Sequence, residues 1–239
     1  HYVSATLLSE FAHGLQSLTG ENVSPQTYKY CSPTRGSFLS GRYPFRLSAT
    51  GSNVAPRVLS DPLMHMKLLP AQLKSGGFQS MQIGKWHEGS HSDAFTPVGR
   101  GFDRSIGFLG GGEDHNTSGA PGNVDLSIGW PNGTQTPALG LPGHYTGHIF
   151  SDAAVRFVSE ADPARPLFLY LALHNTHEPF EAPWVFRAPF PQFADDPPNG
   201  CACSPKPYCH CQAKHGQCQS RKCMQRTWTG MVYFVDQTV

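Results

Sequence analysis

Charge is scarce in this sequence. Asp, Glu, Lys and Arg make up 15% of its 239 residues, where about 25% is usual for a globular protein. The 18 basic and 17 acidic residues leave a formal net charge of +1. Such a surface has no strong field to draw in nucleic acid or an anionic membrane, which argues against polyanion binding as the main activity. Long apolar runs are missing too. The longest, from Leu167 to Leu173, falls far short of the roughly 20 residues that span a bilayer, so no membrane span is expected. No initiator Met, basic segment or apolar leader precedes His1, so no signal peptide is visible. No Gly, Pro or Asn follows the helical spacing of Met231, Val232, Phe234, Val235 and Val239. The expectation is a fragment of a longer chain.

What is plentiful is glycine and proline, 25 and 21 residues. They describe a loop-rich globular chain, long enough to bury a core, and neither a disordered polyelectrolyte nor a coiled coil. Pro33 and Gly41 bracket a predicted helix over 33–40, which puts Cys31 just before its N-terminus. Pro70 and the pair Gly76-Gly77 bracket a second, Leu69 to Ser75. A strand over Phe78 to Ile83 follows and ends in Gly84-Lys85-Trp86-His87. Residues 99–147 hold many Gly, Pro and Asn with weak periodicity and read as long surface loops that could shape a pocket. The apolar positions Ile149, Phe150, Ala153, Ala154, Phe157 and Val158 follow helical spacing up to Asp162-Pro163. The run Leu167 to Leu173 lacks polar alternation, as in a parallel strand buried on both faces.

Helix, buried strand and polar loop together read as α/β. In such sheets ligands sit beyond the carboxyl ends of the strands, where Lys85, His87, His174 and His177 would emerge. His174 is read as a loop or core residue. Residues 184–226 read as a Pro-rich and Cys-rich insertion, after which helical periodicity returns from Trp228. No internal repeat is present.

The run Tyr30-Cys31-Ser32-Pro33-Thr34-Arg35-Gly36, continued by Gly41-Arg42, carries Cys-x-Pro-x-Arg followed by a Gly-Arg pair. It resembles the signature of the sulfatase family. Further matches come in that family's order: Gly84-Lys85-Trp86-His87-Glu88-Gly89, then Arg100-Gly101-Phe102-Asp103, then Pro166 to Leu173 with His177-Glu178-Pro179. The chain is most similar to the arylsulfatase B type, over about Tyr28 to Pro183 and Thr229 to Val239.

The resemblance implies an alkaline-phosphatase-like sandwich with a mostly parallel central sheet flanked by helices, incomplete in this chain, with residues 1–239 forming part of a catalytic domain. It implies a sulfuric ester hydrolase whose Cys31 is converted to formylglycine by the formylglycine-generating enzyme. A sulfate ester is an anion, so its site must neutralise charge and hold geometry. Residue 31 at a helix N-terminus gains partial positive charge and free N–H groups. Arg35, one turn on, falls on the same helix face and can fix the hydrated aldehyde. Lys85 and His87 lie two apart on an extended strand end, which would point both to one side. Lys85 would bind a sulfate oxygen, His87 would act as base, and His177 would bind substrate and give a proton to the leaving alcohol. The expected substrate is a sulfate ester, with sulfated glycans among the candidates.

The resemblance also implies Ca2+, held by residue 31 as formylglycine, by two adjacent Asp near the chain start and by a later Asp-Asn pair. None of those four protein ligands occurs at the expected place, and Asp195-Asp196 reads as a solvated loop. The alternative reading is a catalytically incomplete sulfatase-like fragment or a binding remnant for sulfated glycans. A phosphatase of the wider fold is disfavoured, because those relatives generally place Ser or Thr as nucleophile. Six cysteines between Cys201 and Cys223 leave disulfides and a zinc module open; an oxidising secretory route, lysosomal or extracellular, favours disulfides. The sequons at Asn22, Asn116 and Asn132 agree with that route.

Overall fold

The computed structural model describes residues 28, 30–47, 65–116, 119–120, 123–141, 143–193 and 221–238. In chain order they form α1 (Cys31–Ser40), α2 (Leu69–Ser75), β1 (Gln79–Gly84), β2 (Arg104–Phe108), β3 (Gly119–Ala120), β4 (Asn123–Val124), β5 (Leu126–Gly129), β6 (Gln135–Pro137), α3 (Thr146–Ser159), β7 (Leu167–Ala172), α4 (Trp184–Arg187) and α5 (Arg221–Thr238). Helix α1 begins at Cys31, two residues before the expected start. Pro33 then occupies the first turn, where its missing N–H has no intrahelical acceptor to lose. Gly41, at φ 68°, closes the helix by donating its N–H to the Ser37 carbonyl at 2.8 Å.

The five-stranded sheet runs β6-β5-β2-β1-β7. Strand β1 is parallel to both β7 and β2, while β5 and β6 extend the sheet antiparallel beyond β2. The α/β class therefore holds, with the parallel part of the sheet carrying the carboxyl ends of β1 and β7. Side chains alternate across a strand, and the run Leu167 to Leu173 divides accordingly. Phe168 and Tyr170 pack on a core of Leu39, Leu47, Leu68, Trp86 and Phe102 beneath α1 and α2. Leu169, Leu171 and Leu173 pack on Ile83, Phe108, Leu126 and Phe150 beneath α3. Both faces of β7 are used, yet Leu167 is exposed and the rest only half-buried, because among the described residues β1 is its one strand partner.

One expectation changes. The stretch 99–147 is not a set of surface loops, since it contains β2, β5 and β6, with Phe108 and Leu126 fully buried. Each strand is five residues or shorter, too brief for alternation to stand out between glycines and prolines. The described ends of the 184–226 segment, expected as an insertion, are held to the fold and to each other. Phe186 of α4 meets Phe234 of α5 edge-on at 5.0 Å, and Arg226 Nε donates to the Arg187 carbonyl at 3.1 Å. Asp195-Asp196, the cysteines from Cys201 to Cys218 and Asn22 lie outside the described residues. Among the described residues no helix is long and apolar enough to cross a membrane.

Candidate active site

Cys31 stands in the first turn of α1, half-buried, in a cleft of about 460 Å³ lined also by Tyr28, Tyr30, Thr34, Arg35, Phe38 and Tyr170. That turn is tied down on two sides. Ser32 Oγ donates to Glu88 Oε1 at 3.0 Å in a buried contact, and Thr34 Oγ1 donates to the Tyr28 carbonyl. Arg35 lines the same cleft as Cys31, as its spacing of one turn predicts. Its Nη1 donates to the Lys85 carbonyl at 2.8 Å and to Tyr170 Oη at 3.3 Å, so it joins α1 to β7 and to the end of β1.

Lys85 follows β1 directly. Gly84 makes the turn at φ 91°, where a Cβ would lie 2.1 Å from the Ala172 carbonyl oxygen; glycine is required there both for the left-handed backbone and for the close approach. Lys85 is 2% exposed, and its Nζ donates to the Gly111 carbonyl. Burial pushes the ammonium below its ordinary pKa, the charge and hydrogen bonding of Cys31 oppose that shift, and the Arg35 charge adds to it. Lys85 and Cys31 are thus electrostatic neighbours.

The segment after Gly84 is not the extended strand end that sequence spacing suggests. His87 has φ 57°, because its backbone follows the carboxyl end of β2: Trp86 N–H bonds the Phe108 carbonyl at 3.0 Å and His87 N–H that of Leu109 at 3.1 Å. The Trp86 ring is buried edge-on against Phe102. Lys85 and His87 are brought together by the glycine loop 110–112 instead. The imidazole of His87 lies against Gly111, so close that a Cβ there would be 2.8 Å from two ring atoms, and His177 lies against Gly112.

His177 is held by its own loop. Its Nδ1 is 2.7 Å from the Glu178 carbonyl, which assigns the proton to Nδ1 and leaves Nε2 as the acceptor nitrogen of the neutral ring. Behind it stand three more rings in sequence: His174 at 5.5 Å, then His115 at 4.1 Å from His174, then Tyr145 at 5.4 Å from His115. His174 is a core residue, as one of its two expected readings has it. Burial and the neighbouring His115, His177 and Lys85 charges press its imidazole to the neutral form, and burial holds His115 down to about 4. Glu181 fastens the loop from below. Its Oε2 accepts from the His115 N–H at 3.1 Å and from Asn116 Nδ2 at 2.9 Å, and Tyr145 Oη donates to its carbonyl at 2.9 Å.

Gly111, Gly112, Glu88, His115, Tyr170 and Glu181 were not among the residues sequence reasoning singled out for the site. Glycines in a glycine-rich chain carry no local signal, and the others reach the site through separations of 50 residues or more in sequence. Calcium needs several hard oxygen donors at one point. Among the described residues no three His, Cys, Asp or Glu side chains converge as a metal site, and Cys31 is flanked by Lys85 and Arg35. The described residues do not make a calcium site.

The chain is 28% identical over 183 residues to mouse arylsulfatase J, covering 71% of this chain and 29% of that protein. It is 29% identical over 169 residues to human N-acetylgalactosamine-6-sulfatase, covering 64% and 31%. It therefore spans about a third of the length of these relatives. The crystal structure of Ps i-CgsB in complex with k-i-k-neocarrahexaose superposes with a TM-score of 0.60 at 27% identity, over 87% of this chain and 42% of that one. The PsFucS1 sulfatase from Pseudoalteromonas sp., at 21% identity and a TM-score of 0.51 over 64% of this chain and 35% of that one, shares the fold. The family model described as Sulfatase matches residues 15–239, a span that includes Cys31 in its helix turn, Lys85 beside it and the two histidines across the glycine loop: the chain belongs to the sulfatase family.

Proposed function

We propose that this chain carries the nucleophile and sulfate-binding part of a sulfuric ester hydrolase of the arylsulfatase type. The observation that carries the reading is the placement of Cys31 in the first turn of α1 with the Lys85 ammonium as its electrostatic neighbour. A helix N-terminus and a buried cation together favour an anionic ester at that point. Oxidised to formylglycine by the formylglycine-generating enzyme and hydrated, residue 31 supplies the hydroxyl that attacks sulfur. Lys85 holds a sulfate oxygen. His177 gives a proton to the departing alcohol oxygen. With Nδ1–H spent on the Glu178 carbonyl, donation from Nε2 requires the imidazolium. His87 takes the proton of the second hydroxyl as sulfate leaves. Arg35 works at one remove, by fixing α1 against the Lys85 backbone.

The relatives named for N-acetylgalactosamine 6-sulfate chemistry and for a carrahexaose complex support a sulfated glycan as the substrate class. The proposal includes secretory passage to the lysosome or outside, glycosylation and disulfides in the Cys201–Cys223 cluster. Calcium belongs to it as the family's ion, with residue 31 as formylglycine the one ligand assigned in this chain, and no step is derived through it.

Peptide mass at position 31 tests the nucleophile: loss of about 18 Da relative to Cys is expected where aldehyde replaces thiol. Sulfate release from an aryl sulfate, compared with Cys31→Ala, tests the reaction. An unmodified thiol in a chain produced with the formylglycine-generating enzyme overturns the reading.

A further inference from the structure

Two sequon asparagines, Asn116 and Asn132, lie within the described residues, and they differ in exposure and in what holds the side-chain amide. We infer that Asn132 is an N-glycan acceptor and that Asn116 is not; the inference rests on the proposed secretory passage and is independent of catalysis.

Asn132 sits at the tip of the β5–β6 hairpin. Trp130 N–H bonds the Thr134 carbonyl at 2.9 Å and Gly133 N–H bonds the Trp130 carbonyl at 2.9 Å, with Gly133 at φ 87°. This is a tight turn that depends on glycine after Asn132. Asn132 is exposed. Its Oδ1 accepts both the Thr134 N–H at 3.1 Å and the Thr134 hydroxyl at 2.8 Å. Both partners donate, which assigns the oxygen to that side and directs Nδ2 away from them. The sequon hydroxyl therefore already withdraws density from the amide carbonyl. That local bonding spans two residues, so the chain can form it before the domain folds.

Asn116 is the opposite case. It is 6% exposed, and its Nδ2 donates to Glu181 Oε2 at 2.9 Å. Its carbonyl accepts the Gly143 N–H at 2.6 Å and its own N–H bonds Asp114 Oδ1 at 2.9 Å. A sugar on Nδ2 would have to occupy the place of Glu181, which also holds the His115 backbone, and there is no room for it in the folded chain.

The reaction needs a lipid-diphosphate-linked oligosaccharide. Asn132 Nδ2 bonds to its anomeric carbon, the bond from that carbon to the diphosphate oxygen breaks, the lipid diphosphate leaves, and Nδ2 gives up one proton.

The test expresses the full chain behind an endoplasmic-reticulum leader in animal cells, with an added C-terminal sequon reporting entry to the lumen. Secreted protein is digested, and peptides are treated with a glycan-removing amidase in heavy-oxygen water beside a no-enzyme control in the same water, because spontaneous deamidation at Asn132-Gly133 also takes up solvent oxygen. The expected result is enzyme-dependent heavy oxygen at Asn132 and none at Asn116, with loss of that glycan in Asn132→Gln and in Thr134→Ala. An unmodified Asn132 in molecules whose reporter sequon is glycosylated overturns the proposal, as does a glycan on Asn116 in the secreted protein. Failure of the natural full-length protein to enter the lumen would strike the secretory reading instead.

Discussion

The imidazoles of His115 and His174 stack 4.1 Å apart and 18° from parallel, both buried. Two cationic imidazoles could not share that space without solvent, so both are neutral in the fold. Close by, burial and the Asp125 and Asp114 charges raise Glu113 to about 9, and burial with Asp114 raises Glu181 to about 8.

These groups shape stability against pH. The two histidines have folded pKa values depressed below the unfolded value of about 6.5, so their contribution is present above pH 6.5 and lost as pH falls toward 4. The two carboxyls are raised, so theirs is present below about pH 4.5 and lost as pH rises through 8 and 9. Between about 4.5 and 6.5 the slopes oppose. Urea midpoints should therefore peak in that window and fall on both sides, and Glu113→Gln should flatten the alkaline side. A midpoint that climbs steadily from pH 6.5 to 9 refutes this.

Gly111→Ala should displace His87, since the new Cβ would lie 2.8 Å from its Cε1 and Nε2. Gly112→Ala meets His177 Cε1 only at 3.4 Å, an ordinary contact. The expected outcome is a tenfold or greater loss of sulfate release in the first and under threefold in the second, on the order of 1.4 and 0.6 kcal/mol in the barrier. Equal effects would contradict the geometry.

Arg35→Lys loses the two bonds from Nη1 to the Lys85 carbonyl and Tyr170 Oη. A cost of about 1.5–3 kcal/mol is expected for bonds from a charged group. Tyr170→Phe removes one of them, so urea titration of the double variant should show less than the sum of the single losses. Strict additivity would mean that the two side chains act apart.

Phe108→Ala should cost about 3–5 kcal/mol. The ring is fully buried, stacks on Phe150 at 6.4 Å and meets His174 at 4.8 Å. Faster amide exchange across 174–178 should accompany the loss, and unchanged exchange there would show that the ring does not support the His177 loop.

Much of the local architecture is legible in the sequence. Pro33 and Gly41 bracket α1, Pro70 and Gly76 bracket α2, and both appear within two residues of expectation. Cys31 and Arg35 sit one turn apart in the sequence and line one cleft in the fold. These are short-range matters of backbone sterics and helical period. What failed was longer in range or too brief to repeat. Strands β2, β5 and β6 escaped notice because each is short, and the extended reading of Lys85 to His87 failed because β2 imposes its own hydrogen bonds there.

The sequence by itself determined the family, through residue types at fixed spacing around Cys31, Lys85 and His177, and it determined the helices whose caps are local. Only the tertiary structure decided that the glycine loop 110–112 joins Lys85, His87 and His177, that His174 is a core ring, and that Asn132 is exposed while Asn116 is buried against Glu181. Those are contacts between distant segments, and a side chain's chemistry depends on the burial and partners that only packing supplies.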